Sequence, residues 1–209
     1  CLVGSEMCIR DSCIPTFTAS KTTIGKQQIG SYGLYFGRVT EEKGVETVIK
    51  AYEKLPEYTV KIMGDDTTDE AKRLKKYVEN HKMKNVEFLG FKSGAELENV
   101  IKGARFTLIP SIWYDNLPNT ALESFQYSKP VIASNIGSLP ELVIDGENGY
   151  LFKPSNVEDL IKKIKMLDDD TLVKKMGQAS RKRLESRFAP QTHYEDLMKI
   201  FNEAVKSRK

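Results

Sequence analysis

Cysteine is missing from residue 14 to the C-terminus, since all three (Cys1, Cys8 and Cys13) lie in the first thirteen positions. The rest of the chain therefore cannot be built on disulfides. No histidine or fourth cysteine stands near the three to complete a four-ligand metal site. A cysteine-free remainder fits a reducing cytoplasm. Histidine is almost as scarce: His81 and His193 sit among polar residues of expected helices, and no Ser/His/Asp set accompanies them. No apolar run approaches the ~20 residues that cross a bilayer, and no signal peptide is visible. Charge of one sign is also lacking, with 32 basic residues against 29 acidic and a net charge of +3. A nucleic-acid binder would show a stronger, clustered excess. The phosphate loop G-x-x-x-x-G-K-[ST] and the dinucleotide fingerprint G-x-G-x-x-G are absent, which argues against a nucleotide hydrolase or a dehydrogenase.

What is present, 209 residues, suits one large domain or one and a half small ones. Residues 1–12 (CLVGSEMCIRDS) read as translated sequencing-adapter sequence and are set aside. Residues 13–32 are polar, without a sustained period, and read as a linker. From Gly33 short β runs alternate with amphipathic helices. Strands are predicted at Leu34–Phe36, Tyr58–Met63, Val86–Leu89, Phe106–Ile109, Val131–Ala133 and Tyr150–Phe152. Between them Val45, Val48, Ile49 and Tyr52 share a helical face, Asp69 to Asn80 forms a helix, and Leu97, Val100, Ile101 and Ala104 share another face. A helix begins around Pro118, a short helical segment follows Leu139, and amphipathic helices run from Val157, from Thr171 and through Tyr194 to Val205. This alternation predicts an α/β fold, a Rossmann-like doubly wound parallel sheet with helices on both faces. Such sheets bind ligands at the C-terminal strand ends where strand order reverses, the edge at which Gly37, Gly64, Gly90 and Pro110 fall.

The most informative stretch runs from Ile109 to Ala133. An apolar strand ends in a polar loop, and the loop feeds a helix with Pro118 expected at its first position. The amides from Asn119 onward then lie at the positive end of a helix dipole, a place for an anion, with Glu123 one turn deeper. Opposite, Gly37-Arg38-Val-Thr-Glu-Glu-Lys43-Gly44 leaves the first strand, and its Arg fork and Lys charge both suit a diphosphate. Strands one and four flank the switch point, so the two loops are expected to face each other across one crevice.

Taken in order, Gly37-Arg38…Lys43-Gly44, Asp115…Glu123, Lys129-Pro130-Val131-Ile132-Ala133 and Gly137-Ser-Leu-Pro140-Glu141…Asp145-Gly146…Asn148-Gly149 resemble a known domain. It is the C-terminal domain of retaining glycosyltransferases of family four, which have the GT-B fold. The resemblance spans Gly33 to the C-terminus. It implies that Arg38 and Lys43 bind the donor diphosphate and stabilise the departing nucleotide. It implies that Asp115, at the first acidic position of the family's E-x7-E motif, lies close to the donor sugar, so Arg38, Lys43 and Asp115 are the catalytic candidates. Donor-binding candidates are Gly37, backbone around Gly64, Phe91 and Lys92 beside the base, the amides of Leu117, Asn119 and Thr120 on the phosphates, and Glu123 on the ribose hydroxyls. Donors of this type are UDP-, GDP- or ADP-sugars, with no metal or other cofactor implied. The implied activity is retaining hexosyl transfer to a glycan or lipid-linked acceptor, in cell-surface polysaccharide biosynthesis. Acceptor groups would come from an N-terminal domain that this sequence lacks, against which the last helix would pack.

Three positions depart from the family pattern. Asp115 replaces Glu, Leu117-Pro118 stands where Phe-Gly is common, and Ser128 replaces the Gly before Lys-Pro. Two other readings of the crevice are a nucleotide-sugar epimerase of the same fold and a non-catalytic nucleotide-binding module. Asp168-Asp169-Asp170 matches the D-x-D metal motif of the other large glycosyltransferase fold, but lies at a helix end and reads as a surface turn. Asp65-Asp66 follows a strand and reads either as a neighbour of the ribose or as a helix-leading loop. Trp113 reads as a loop aromatic packing on the domain edge, with stacking on a ligand as its alternative. The basic stretch from Lys162 to Arg187 reads as a solvated face. Its alternative is peripheral contact with anionic lipid at the inner membrane face.

Overall fold

The computed structural model describes residues 28–206. Residues 1–12 and the expected linker up to residue 27 lie outside them. One sheet of six strands forms the centre: β1 (Tyr32–Phe36), β2 (Thr59–Met63), β3 (Val86–Gly90), β4 (Ala104–Ile109), β5 (Val131–Ser134) and β6 (Gly149–Phe152). All neighbours are parallel, in the order β3-β2-β1-β4-β5-β6. Strand order therefore reverses between β1 and β4, the pair expected from the sequence. The crossovers are α1 (Val45–Glu53), α2 (Asp69–Asn80), α3 (Gly94–Gly103), α4 (Asn119–Gln126) and the short α5 (Leu139–Leu142). After β6 come α6 (Val157–Met166), α7 (Asp170–Arg187) and α8 (Pro190–Lys206).

The period of two along each strand divides the core. On β1, Tyr35 packs with α1 and α6, while Leu34 and Phe36 point to the other face beside Ile101 of α3. On β5, Ile132 joins the first face, and Val131 and Ala133 join Leu122, Phe125 and Leu139 on the second. Both faces of the central strands are thus buried, as a parallel sheet requires. Each fully buried Leu, Ile or Phe contributes about 1.5–3 kcal/mol relative to exposure. Three helix starts are fixed by side-chain caps: Thr68 accepts from the Ala71 amide, Asn156 from Asp159 and Asp169 from Thr171. The Asp triplet is spent in this way. Asp168 accepts the Tyr58 hydroxyl at 2.6 Å, Asp169 caps α7, and Asp170 pairs with Arg105 at 2.6 Å. Arg105 lies at the start of β4, so the triplet sits at the opposite end of the sheet from the strand C-termini.

Several boundaries differ from those predicted. Tyr32, expected in the linker, is the first residue of β1. Ala104 is not on the face of α3; it adopts an extended conformation (φ −74°, ψ 152°) and opens β4. Pro118 is not the first helical residue but the N-cap, with ψ 117°. Its carbonyl accepts from the Ala121 amide at 3.0 Å, so Asn119 becomes the first residue of the helix. Trp113 does not pack on the domain edge: it is 66% exposed, beside the equally open Tyr114. Ser128 explains the glycine usual at its position, because its φ is +53°, a left-handed conformation that costs a non-glycine residue about 1 kcal/mol or more.

Lys129 has a role the sequence did not suggest. It is 1% exposed and its Nζ donates to the carbonyls of Gln28, Lys102 and Ala104 at 2.6–2.7 Å. Burial pushes its pKa down to about 8, which still leaves it charged at neutral pH. One ammonium thus ties the segment before β1, the end of α3 and the start of β4. The basic stretch on α6 and α7 is largely a solvated face, with Lys162, Lys165, Lys174, Lys175, Lys182 and Arg187 exposed, while Lys163 meets Asp145, Arg181 meets Glu185, and Arg183 donates to the Glu141 carbonyl. On α8 no side chain is buried, and Tyr194, Phe201 and Val205 remain more than half exposed.

Candidate functional site

At the C-terminal edge the ends of β1 and β2 touch through backbone alone. The Gly37 amide donates to the Met63 carbonyl at 3.0 Å, and Gly37 adopts φ +147°, a region closed to most L-residues. A Cβ on Gly64 would sit 1.9 Å from the Gly37 carbonyl oxygen. Any side chain at residue 64 would therefore push the two strand ends apart. The Tyr35 hydroxyl donates to the Arg38 carbonyl and fixes the loop that follows. That loop is joined to the one after β4, because the Ile112 amide donates to the Glu42 carbonyl at 3.0 Å.

Two adjoining hollows open on this edge. The first, of about 310 Å³, is walled by Phe36, Met63 and Leu97, with Arg38, Glu123 and Phe91 at its polar ends and rim. Its lining also includes Gly37, Gly64, Asp65, Lys92 and Thr120. The second, of about 200 Å³, is more polar and brings together Arg38, Lys43, Ser111, Asp115, Asn119 and Thr120. Gly37, Arg38 and Thr120 line both, so the two form one crevice across the β1/β4 switch point.

The charges in the crevice are held in distinct ways. Lys43 Nζ lies 2.6 Å from Asp115 Oδ1, and Ser111 Oγ donates to Asp115 Oδ2 at 2.7 Å. Asp115 is further fixed by Ser138 Oγ, which donates to its backbone carbonyl at 3.0 Å. Arg38, by contrast, is exposed, and its guanidinium has no ion pair or hydrogen bond among the described residues. Asn119 and Thr120 open α4, and their amides have no acceptor within the helix, which makes them donors at its positive end. Glu123 stands on the second turn, where burial raises its carboxyl pKa above the ordinary value. Phe91 is 73% exposed at the rim and Lys92 pairs with Glu96 at 3.3 Å. The crevice can accordingly take an anion where Arg38, Lys43 and the Asn119 and Thr120 amides converge. A flat, partly apolar group fits the first hollow, with hydroxyl donors directed to Glu123.

Of the catalytic and donor-binding candidates, Leu117 alone lines neither hollow. Its side chain packs against the core under α4, α5 and α7. Asp65 borders the first hollow but spends its carboxylate on Thr67, and Asp66 pairs with Lys75 at 2.5 Å. His81 stacks on Tyr77 at 3.9 Å, away from the crevice. Sequence reading missed Ser111, whose link to Asp115 is made through space and has no local pattern. It also missed Phe36, Met63 and Leu97, which read as ordinary core residues. Among the described residues no group of three or more His, Cys, Asp or Glu side chains could hold a metal ion. No helix among them is long and apolar enough to cross a membrane.

The doubly wound parallel sheet with a crevice at its switch point defines a domain of the Rossmann-like class. The chain belongs to the glycosyl transferases group 1 family, whose description matches residues 20–183. An uncharacterised glycosyltransferase of Methanocaldococcus jannaschii is 30% identical over 174 residues, which cover 83% of this chain and 48% of that protein. Sucrose-phosphate synthase from Thermosynechococcus elongatus superposes with a TM-score of 0.78 at 22% identity, covering 93% of this chain and 52% of the other. Anabaena HepE in complex with UDP superposes with a TM-score of 0.75 at 23% identity, covering 83% and 49%. These structures share the fold of glycosyltransferases of the GT-B type. The chain spans about half the length of the curated relatives it matches.

Proposed function

We propose that this chain is the donor-binding half of a retaining hexosyltransferase that uses a nucleotide sugar and no metal. The observation that carries the proposal is that Arg38 and Glu123 line one hollow while Arg38, Lys43 and Asp115 line the next. In this reading the base and ribose occupy the first hollow, with the ribose hydroxyls donating to Glu123 and the base beside Phe91. The pyrophosphate lies between Arg38, Lys43 and the Asn119 and Thr120 amides. Lys43 exchanges its Asp115 partner for a phosphate oxygen, and Asp115 is released toward the sugar. UDP bound to HepE supports a nucleoside diphosphate as the ligand class.

The chemistry follows from where charge develops. The bond between C1 of the sugar and the β-phosphate oxygen breaks, and its electron pair leaves with the diphosphate. Preorganised cations and helix amides lower that barrier. The acceptor oxygen bonds to C1 on the face the phosphate leaves, and its proton passes to the departing phosphate oxygen. The acceptor is a glycan or a lipid-linked saccharide of cell-surface polysaccharide synthesis, and its binding groups lie on an N-terminal domain. The apolar residues of α8 left exposed in this chain support such a partner.

Titration of the chain with UDP-, GDP- and ADP-glucose tests the proposal. One of the three should bind in preference to the other two, and the isolated chain should transfer little or no sugar. Failure of all three to bind would exclude a nucleotide-sugar donor, and turnover without an added domain would show that the acceptor groups are here.

The raised Glu123 pKa gives a pH signature. A folded-state pKa above the unfolded value means the folded protein holds the proton more tightly. That contribution to stability is present below the unfolded pKa and is lost as pH rises through the folded one. Donor binding runs the other way, because ribose hydroxyls donate to the ionised carboxylate. Affinity for the preferred nucleotide sugar should therefore fall as pH drops from neutral through the Glu123 pKa. Glu123→Gln should flatten this part of the profile in calorimetric titrations. An identical slope in the variant would assign the titration to another group.

A further inference from the structure

The two oxygens of the Asp115 carboxylate are held by groups of opposite character. Oδ1 meets the Lys43 ammonium at 2.6 Å, and Oδ2 accepts the Ser111 hydroxyl at 2.7 Å. The Lys43 and Asp115 side chains are 20% and 21% exposed, so an anion entering the second hollow can reach the ion pair. Ser111 is 1% exposed and cannot turn its hydroxyl to solvent. Lys43 ends a flexible four-carbon stem, whereas the Ser111 hydroxyl hangs on one side-chain torsion. Backbone clasps the two loops around this pair. The Ile112 amide donates to the Glu42 carbonyl at 3.0 Å, and a Cβ on Gly44 would lie 2.1 Å from the Pro110 carbonyl oxygen. The Asp115 carbonyl accepts Ser138 Oγ at 3.0 Å, and a Cβ on Gly137 would lie 3.1 Å from the same oxygen. Neither loop can follow a departing cation, so any exchange of partners falls to the Lys43 stem.

Transfer of the ammonium to a phosphate oxygen would vacate Oδ1 and leave Oδ2 tethered. The last torsion of an aspartate is broad, so a carboxylate with no second partner would point in many directions. The Ser111 hydroxyl removes that freedom. It donates without neutralising the charge, so Oδ1 remains an ionised acceptor, the kind that forms the shorter and stronger hydrogen bonds. Because the orientation is set beforehand, less side-chain freedom is lost when a sugar hydroxyl arrives.

We infer that Ser111 is a specificity-determining positioning residue: it holds Asp115 so that, once a diphosphate has drawn Lys43 away, the single vacated oxygen takes one hydroxyl of the donor sugar. This role rests on the donor reading of the crevice. Beyond that reading, it makes sugar recognition follow diphosphate binding, since Oδ1 is occupied by Lys43 until an anion arrives.

Calorimetric titrations of the whole chain with UDP, GDP and ADP, and with the glucose conjugate of each, give the factor by which the sugar strengthens binding. For the pair that binds, this sugar advantage should be about tenfold, the usual order for a hydrogen bond to a charged group. Ser111→Ala should reduce it to about twofold or less, and Ser111→Cys, whose thiol is a weaker donor, should fall between the two. Asp115→Asn should also remove the advantage, and Ser111→Ala added to it should change the ratio no further, as expected of residues that act through one another. Lost packing at residue 111 would instead shift both affinities together and leave their ratio intact. In the unmutated protein, conjugates lacking the C3, C4 or C6 hydroxyl of glucose provide a test that needs no variant to fold. One of them should lose most of the advantage and the other two should keep it. An unchanged ratio in Ser111→Ala, equal losses across the three deoxy conjugates, or no sugar advantage while the diphosphate binds would overturn the role of Ser111 and leave the donor reading standing. Absence of binding by any of these ligands would overturn both.

Discussion

Replacing Arg38 with alanine is expected to weaken nucleoside-diphosphate binding by about 1.5–3 kcal/mol, roughly 10- to 150-fold in Kd. The effect is large because Arg38 lines both hollows and its guanidinium has no other partner among the described residues. No hydrogen bond or ion pair within the protein therefore has to be broken when the diphosphate arrives; only a longer-range attraction to Glu42 is weakened. Lys43 differs, since it must first leave Asp115 at 2.6 Å, so Lys43→Ala should cost less than Arg38→Ala. Folding should be unaffected by the Arg38 change, because the carbonyl that receives the Tyr35 hydroxyl is retained. Calorimetric titration of both variants measures the difference. Unchanged affinity in Arg38→Ala would remove this residue from the site.

Lys129→Met is expected to cause the largest loss of stability, about 3 kcal/mol or more. The substitution keeps the length and the apolar stem but removes the donor on which three carbonyls converge, that of Ala104 buried and those of Gln28 and Lys102 partly so. Each carbonyl left without a partner costs about 1–3 kcal/mol, partly recovered by relaxation. The carbonyls belong to Gln28, Lys102 and Ala104, so the loss should loosen the entry to β1 and β4, the strands that bound the crevice. Urea unfolding followed by far-UV circular dichroism should show a lower midpoint with an unchanged slope. A midpoint equal to that of the parent would mean that the buried ammonium stabilises nothing on balance.

The comparison of these two residues shows what a sequence can and cannot reveal. Arg38 stands in a strand-to-helix loop, and its position follows from the strand periodicity and the switch-point rule, both of which are local or topological. The parallel sheet itself follows from the alternation of short β runs and helices. Lys129 was read only as the residue before a helix-stopping proline, because its three acceptors come from residues 25 to 101 positions away. Pro118 was placed one position too far into the helix for a similar reason. Proline is compatible with both the N-cap and the first turn, and the choice is made by its carbonyl accepting from Ala121. Leu117 was grouped with the phosphate amides by motif, which speaks for its backbone alone; its side chain turns toward the core of α4, α5 and α7. The link from Ser111 to Asp115 is a product of packing and has no sequence signature.

The central claim is that one crevice between β1 and β4 holds the nucleotide and its pyrophosphate. A crystal structure of the chain with its preferred nucleoside diphosphate tests it most directly. The account predicts the pyrophosphate between the Arg38 guanidinium and the Asn119 and Thr120 amides, the ribose hydroxyls on Glu123, and Lys43 turned from Asp115 to a phosphate oxygen. A nucleotide bound elsewhere on the chain, with Arg38 and Glu123 both untouched, would contradict it.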